Sequence, residues 1–265
     1  MFIYIAEFRN AIALSWRIFS RTIAAKYRKS FLGYFWMVAP ALLITGGVTM
    51  ASRAGVITPG MTELPYPLFV LFGTLLWQIF AEAVEVPHQA FEGARSYLTR
   101  VYFPREAIIL AQLYESIITM LVRLMLALLL VSLMQGIELR GVLLVTACFA
   151  GALLLGMGIG SVLMPFTLLF SDLHNSIKLG LGYGLFVTPA MYQPQGDGLF
   201  ATLVRYNPVT PLMNSAREAA AGLAISNFQL LMFVLGAGVL TTIIGFIVVR
   251  AAAPIVIERM LLGGR

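Results

Sequence analysis

Runs of mostly apolar residues, each near the roughly 20 residues that a helix needs to cross a bilayer, recur six times along the chain. They lie at about 31–52, 66–86, 107–135, 141–170, 177–194 and 228–252. The third is long for one crossing, which predicts a tilted helix or one whose first turns project into water. The fifth is broken at its end by Pro189 and Pro194. Ahead of the first run the pattern changes. Ile5, Phe8, Ile12, Trp16, Phe19 and Ile23 recur at spacings of three or four, so a helix would gather them on one narrow face. Arg17, Arg21 and Arg28 fall on the other face. That pattern predicts a helix lying in the membrane interface rather than crossing it. Between the fifth and sixth runs, residues 191–226 give two shorter signals. "LFATLV" follows a turn at Gly196, Asp197 and Gly198. "LMNSAREAAAGL" follows Pro208 and Pro211. Neither can span, and the pair predicts either re-entrant helices packed on protein or a surface hairpin. The pattern as a whole predicts an all-α membrane protein. An N-terminal amphipathic segment, 1–29, would precede a six-span domain, 30–265, with re-entrant short helices between spans five and six.

Composition supports lipid as part of the solvent. The 265 residues are 60% hydrophobic and 11% charged, against about a quarter charged for soluble domains. Mean hydropathy is +0.89. The net charge of +6 marks topology once the cations are placed between the runs. Arg9, Arg17, Arg21, Lys26, Arg28, Lys29, Arg95, Arg100, Arg105, Lys178, Arg250, Arg259 and Arg265 fall on one side. Only Arg53, Arg140, Arg205 and Arg217 fall on the other, and Arg123 lies within the third run. Thirteen against four is a strong positive-inside bias and places both termini in the cytoplasm. No basic stripe with interleaved aromatics stands outside the membrane context, which excludes a nucleic-acid footprint. The first 29 residues carry charge throughout and do not read as a cleavable signal peptide. The single cysteine, Cys148, sits in an apolar run and reads as a small buried hydrophobe.

Motif chemistry is sparse. The three lysines, Lys26, Lys29 and Lys178, follow no glycine loop, so the chain has no P-loop for ATP. HExxH and CxxC are absent, and no metal site is expected; His88 and His174 read as loop residues. "GMGIG" at Gly156–Gly160 superficially resembles a dinucleotide fingerprint, but it falls in mid-span with no strand before it. Close packing of helices through small residues explains it better, as it does "GLGYG" at Gly180–Gly184. Glu82 and Glu85 lie near the inner end of the second span, and Glu115 and Arg123 in the third. Such charges must face protein or a watery lumen. A structural ion pair between Arg123 and an acid such as Glu115, and a hydrated pathway, are equally open. The inner stretch 87–106, bracketed by Pro87 and Pro104, reads as a docking element or a plain connecting loop. Aromatic residues cluster toward span ends, where most serve as interface belts, but their faces are also what a sugar chain slides over.

Four stretches carry a resemblance. "KYRKSFLGYFWMVAP" resembles the start of the permease subunits of ABC-2-type polysaccharide exporters, through Tyr27, Arg28, Ser30, Leu32, Gly33, Tyr34, Trp36 and Pro40. "RVYFPREAI" at 100–108 resembles the family's segment before span three. "FSDLHNSIKLGLGYGLFVTPAMY" at 170–192 resembles its Arg-Asp-Leu segment, with Ser171 standing where Arg is common. "YNPVTPLMNSAREAAAG" at 206–222 resembles its Asn-Pro…Arg stretch. The four occur in the family's order and cover nearly the whole chain.

The resemblance implies the ABC-2 permease fold and a half-transporter. It implies a homodimer in the bacterial inner membrane, with two copies of a separate cytoplasmic ATPase that bind ATP and Mg. The permease itself would carry no cofactor and perform no covalent chemistry. The cargo would be a lipid-linked polysaccharide, most specifically O-antigen. The N-terminal helix and the 87–106 loop would meet the ATPase, with Arg28, Arg95, Tyr102, Phe103 and Arg105 as coupling residues. Tyr34, Trp36, Phe72, Trp77, Phe80, Phe166, Phe170 and Tyr183 would line the sugar path, and Tyr206, Asn207, Pro208 and Arg217 would form the outer gate. An ABC-2 drug or lipid exporter subunit is the alternative, and a membrane-embedded enzyme a more distant one.

Overall fold

A computed structural model of the chain describes residues 14–20, 33–57, 60, 62–98, 105–193 and 198–262; at 34, 95–98, 105–106, 200 and 260–262 it describes the backbone only. The described residues are helices and their connections. Residues 14–20 are helical, and a 3₁₀ turn, Gly33–Met37, leads into α1, Ala39–Arg53. Then follow α2, Tyr66–Leu98; α3, Arg105–Met134; α4, Leu139–Leu169; and α5, Ser171–Val187. The two short helices are α6, Leu199–Tyr206, and α7, Val209–Ala220, and the last is α8, Phe228–Leu262.

Tyr66–Ala94, Ala107–Met134, Leu139–Leu169 and Phe228–Arg259 are long and apolar enough to cross a membrane. The first and fifth of the six apolar runs form shorter helices, of 15 and 17 residues. At 1.5 Å per residue these reach about 22 and 26 Å, short of the roughly 30 Å hydrocarbon core. Three sequence expectations are corrected. First, α2 does not stop at Pro87 but runs through it to Leu98. A proline ring removes one backbone hydrogen bond, and a helix packed on its neighbours tolerates that loss. Second, α5 begins at Ser171, separated from α4 by the single extended residue Phe170 (φ −125°, ψ 103°). Lys178 therefore lies inside a helix rather than between spans. Third, His88 and His174 lie in α2 and α5, not in loops.

Glycine governs how closely α4 packs. A Cβ at Gly156 would stand 2.5 Å from the Phe80 carbonyl oxygen, and one at Gly160 would run into that of Val84. These two, four residues apart, form one face and let α4 lie against the α2 backbone. On the opposite face Gly158 meets Thr241, with 2.5 Å from a Cβ to Oγ1, and Gly151 meets Leu235. Gly245 of α8 returns the contact against Ser161, and the Thr242 hydroxyl donates to the Leu154 carbonyl at 2.7 Å. The "GMGIG" segment is thus a two-sided packing surface. In "GLGYG" only Gly184 is used this way, against the Trp77 ring; Gly180 and Gly182 have open space. The result is graded burial. About 78% of the apolar window of α2 is buried, against 28% in α3 and 22% in α8. The helices with most exposed apolar surface are those a lipid environment would cover.

The N-terminal segment docks by aromatic contact. Phe19 is buried, and the Trp16 and Phe19 rings lie 6.1 and 5.9 Å from the Tyr114 ring of α3, both edge-on. Arg17 is exposed.

These glycine contacts predict a contrast. Gly160→Ala should destabilise the folded chain by about 1–3 kcal/mol, the usual cost of overpacking. Gly180→Ala should be neutral or slightly stabilising, since alanine is the better helix former. Thermal unfolding of the two variants in detergent, monitored by helical circular dichroism, measures the difference. Equal midpoints would show that α4 does not depend on its close approach to α2.

Candidate functional site

A cavity of about 720 Å³ opens between the 3₁₀ turn, α1, α2, α3 and α5, with Leu153 of α4 in its wall. Trp36 stands at its edge, 59% exposed, and Trp77 forms part of its wall. Trp77 donates from Nε1 to the Leu181 carbonyl at 3.1 Å, so its ring holds α5 against α2 while one edge faces the cavity. The other aromatic residues expected along the path lie elsewhere. Phe72 is fully buried and meets Phe149 edge-on at 6.3 Å, inside the α2–α4 contact, so it offers no face to a ligand. Phe80 is buried beside Trp77, ring centroids 5.4 Å apart, and does not line the cavity. Phe166, Phe170 and Tyr183 are exposed on the outer surface of α4 and α5. The Tyr34 side chain lies outside the described residues.

A buried arginine anchors the cavity wall. Arg123, 2% exposed, donates from Nη1 and Nη2 to the two carboxylate oxygens of Glu82, at 2.9 and 2.5 Å. Its Nε donates to the Met37 carbonyl at 3.0 Å. One guanidinium therefore ties α3 to α2 and to the turn before α1. Fork-to-fork geometry of this kind is the strongest form of charged hydrogen bond. Glu115 is not the partner that the sequence suggested. It is buried, and Gln112 Nε2 lies 3.5 Å from its Oε2. Glu82, half open to the cavity, is the acid positioned to share the charge.

A second arginine orders the chain that follows α5. Arg217 on α7 is 1% exposed and stacks over the Phe69 ring at 3.5 Å from its centroid. All its hydrogen bonds to described residues end on backbone carbonyls. Nε and Nη2 reach Phe69 at 3.2 and 2.9 Å, Nη1 reaches Pro189 at 2.8 Å, and Nη2 reaches Ala190 at 2.9 Å. The Phe69 carbonyl lies in the first turn of α2, whereas those of Pro189 and Ala190 belong to the irregular chain that follows α5. Thr188 O accepts from the Ala190 N–H, and Met191 O accepts from the Tyr66 hydroxyl at 3.0 Å. Four successive carbonyls, 188 to 191, are thereby satisfied without regular structure, as a non-helical segment in an apolar setting requires. Gly73 makes this possible: a Cβ there would collide with Arg217 Nη2 and lie 2.5 Å from Ala190 Cα. Burial draws the Arg217 pKa down to about 9, with Glu63 opposing the shift; it is still charged at neutral pH.

Of the other expected gate residues, Tyr206 is exposed on α6, and Asn207 and Pro208 form the α6–α7 joint. Asn207 accepts from the Val209 N–H through Oδ1 and donates to Thr188 Oγ1, both at 3.0 Å. The connection around α6 and α7 is thus fastened to the end of α5 through Asn207 and Arg217. Of the expected coupling residues, Arg28, Tyr102 and Phe103 lie outside the described residues. Arg95 and Arg105 lie in α2 and α3, with side chains outside the described set.

The structure also joins residues that the sequence reading did not group. His88 and His174 stack, ring centroids 3.7 Å apart and planes 8° from parallel, and His88 Nδ1 lies 3.1 Å from Thr167 Oγ1. Gln78, Gln89, Gln112, Ser116 and Thr119 all line the cavity. Their signal was present as polar residues at helical spacing within otherwise apolar runs, Gln78 and Gln89 eleven apart and Gln112, Ser116 and Thr119 four and three apart.

A buried ion pair between helices, a cavity that mixes polar and apolar side chains, and four helices long and apolar enough to cross a membrane fit a multi-pass helical membrane protein. No family model matches the chain. Among curated proteins it is similar to the O-antigen export system permease protein RfbA of Klebsiella pneumoniae, 23% identical over 239 residues, or 86% of this chain and 87% of the relative. A second K. pneumoniae protein of that name is 22% identical over the same length. One from Myxococcus xanthus is 25% identical over 199 residues, 74% of this chain and 75% of the relative. The resemblance read from the four motifs thus extends along most of the chain.

The Arg123–Glu82 tie makes a quantitative prediction. Glu82→Leu should cost about 2 kcal/mol or more, less than the roughly 3–5 for a fully buried pair because Glu82 is half open. Glu82→Leu combined with Arg123→Leu should recover much of that loss, because no unpaired cation is then left inside. A double-mutant cycle on thermal stability tests this, and strict additivity would show that the two side chains are not coupled. Arg217→Lys should destabilise as well, since a compact ammonium has neither the planar fork that spans the Phe69, Pro189 and Ala190 carbonyls nor the flat face that stacks on Phe69. A variant as stable as wild type would show that the carbonyl cage does not hold the connection.

Proposed function

We propose that this chain is the membrane permease subunit of an ATP-driven exporter that carries a lipid-linked polysaccharide, O-antigen, across the bacterial inner membrane. The observation that carries the reading is the likeness, over most of both chains, to three proteins named as O-antigen export permeases. The cavity gives it physical sense. Polar side chains and tryptophan rings line one cavity, and polar groups at membrane depth are retained where they face water or protein.

The chain acts as a transport subunit and not as an enzyme; hydrolysis of ATP with Mg belongs to a separate cytoplasmic partner. Two copies of each chain form the exporter. The exposed side of α5 supports pairing with a second copy: Asn175, Ser176 and Tyr183 are exposed there, a mixture ill suited to lipid tails. In this reading all six apolar runs cross or enter the bilayer, α1 and α5 being completed by the chain around them. Both termini lie in the cytoplasm, as the cation bias requires. α6 and α7 form re-entrant outer elements whose joint, Asn207 and Pro208, gates the exit. The segment up to residue 29 and the stretch about 87–106 receive the ATPase and convert its closure into movement of the spans.

Mild-detergent purification of the tagged chain from its host should recover a soluble P-loop ATPase in stoichiometric amount. Phe103→Ala and Arg105→Ala should keep that ATPase bound while surface polymer falls several-fold relative to ATP hydrolysed. Recovery of the chain alone, with surface polymer unaffected by its deletion, would overturn the exporter reading. Normal export in both variants would remove the docking assignment only.

A further inference from the structure

A second cavity lies apart from the first, where α4 and α8 both begin. Leu139, Arg140, Leu143 and Leu144 of α4 and Phe228 of α8 line it, and its volume is about 510 Å³. None of these residues borders the larger cavity. The two helices run parallel: Gly151 meets Leu235, Gly158 meets Thr241, and Gly245 returns to Ser161. Their first turns therefore stand at the same end of two helices long enough to cross a membrane. From the cavity an apolar strip continues along α8. Phe228, Met232 and Val239 are exposed and, at spacings of 4 and 7, share one face. Beside them Gly236 has open space where a side chain would stand.

One polar side chain interrupts this lining. Arg140 is exposed, and no ion pair or side-chain hydrogen bond ties it to a described residue. Glu138, two residues earlier, is exposed but does not line the cavity. The contrast with the two buried arginines is direct. Arg123 and Arg217 spend their donors on protein oxygen. Arg140 keeps its planar fork open beside leucine and phenylalanine.

That combination selects an occupant. Mostly apolar walls, one placed polar group and a volume of roughly 300–1,000 Å³ are the usual form of a small-ligand site. Guanidinium matches phosphate oxygens two at a time. Long cationic side chains near helix ends also reach toward the headgroup level of a bilayer. A bare polar anion would leave the apolar walls unused. An acidic peptide would satisfy the charge but would set unpaired backbone groups against leucine and phenylalanine. A phosphate joined to hydrocarbon chains satisfies both parts, and the bilayer supplies it.

We propose that the hollow between the first turns of α4 and α8 binds a membrane phospholipid, its phosphate on Arg140 and an acyl chain along the Phe228–Met232–Val239 strip. The bound lipid clamps the starts of the two helices together. The site shares no residue with the larger cavity and does not depend on the exporter reading.

Native mass spectrometry of the full-length chain, stripped of lipid in detergent, tests the site. Dipalmitoyl phosphatidylglycerol is the phospholipid probe. Dipalmitoylglycerol lacks the phosphate, and glycerol 3-phosphate lacks the chains. The wild-type chain should bind the phospholipid about tenfold more tightly than either, or better. Arg140→Gln should weaken that binding by about tenfold, as expected for a lost charge-assisted pair. Arg140→Lys should fall in between, since an ammonium keeps the charge and loses the fork. Arg53→Gln removes an exposed cation that borders neither cavity and should bind as wild type does. The phospholipid should also raise the thermal midpoint of the wild-type chain and leave that of Arg140→Gln unmoved. Equal binding of phospholipid and diacylglycerol, capture of glycerol 3-phosphate as tight as that of the phospholipid, or unchanged binding by Arg140→Gln would each overturn the proposal. An equal loss in Arg53→Gln would reduce the effect to net charge and overturn it too.

Discussion

A guanidinium taken out of water must find oxygen, and the fold is arranged around that demand twice. Desolvating a cation costs several kcal/mol even after the protein relaxes. Arg123 meets the demand with one carboxylate and one carbonyl, and in doing so joins α3, α2 and the turn before α1. Arg217 meets it with three carbonyls and an aromatic face, joining α7 to α2 and to the end of α5. The two solutions differ in what they leave behind. The Glu82 carboxylate remains half open to the cavity, so the tie that closes the wall also supplies part of its polar lining. The Arg217 cage is sealed and supplies only position.

Close helix packing is what makes the Arg217 cage reachable. Arg217 can reach the Phe69 carbonyl in the first turn of α2 because Gly73, one turn on, has no side chain to cover it. Likewise α4 reaches the α2 backbone because Gly156 and Gly160 leave the way clear. Between lipid-facing helices, association depends on such close approach rather than on the hydrophobic effect. Glycine and buried arginine therefore work together: the first sets the distance, and the second fixes the register.

How much of this was legible in the sequence follows from range. Periodicities along one helix were readable. The apolar runs became helices, "LFATLV" and "LMNSAREAAAGL" became α6 and α7, and "GMGIG" became a packing face. Of the eight aromatic residues that the resemblance assigned to a sugar path, Trp36 and Trp77 border the cavity. Contacts between helices were not readable. The suggested partner for Arg123 was Glu115, close by on the same helix, whereas the acid that meets it comes from α2. Phe72 looked the same as Trp77 in one dimension, but only the fold shows that it points into the α2–α4 contact. Pro87 read as a boundary because its local preference is strong, and tertiary packing overrode it. The polar positions of α2 and α3 were legible in principle. They become meaningful only when both are seen to face one space.

The walls of that space are unequal in stiffness. Separating α2 from α4 would open the glycine contacts, and separating α3 from α2 would expose Arg123. Helix α5 is held differently. It has one largely buried apolar side chain, Leu185, and is fastened mainly at points: the His88–His174 stack near its start, Trp77 to Leu181 and Gly184 in its middle, and the Arg217 cage beyond its end. Its neighbour α4 joins it through one extended residue, Phe170. Because packed interfaces shift between discrete arrangements rather than deform continuously, the wall with fewest buried contacts is the one that moves at least cost. Any widening of the cavity to admit a bulky occupant therefore falls first on α5, whose Lys178, Leu181 and Gly182 already border it.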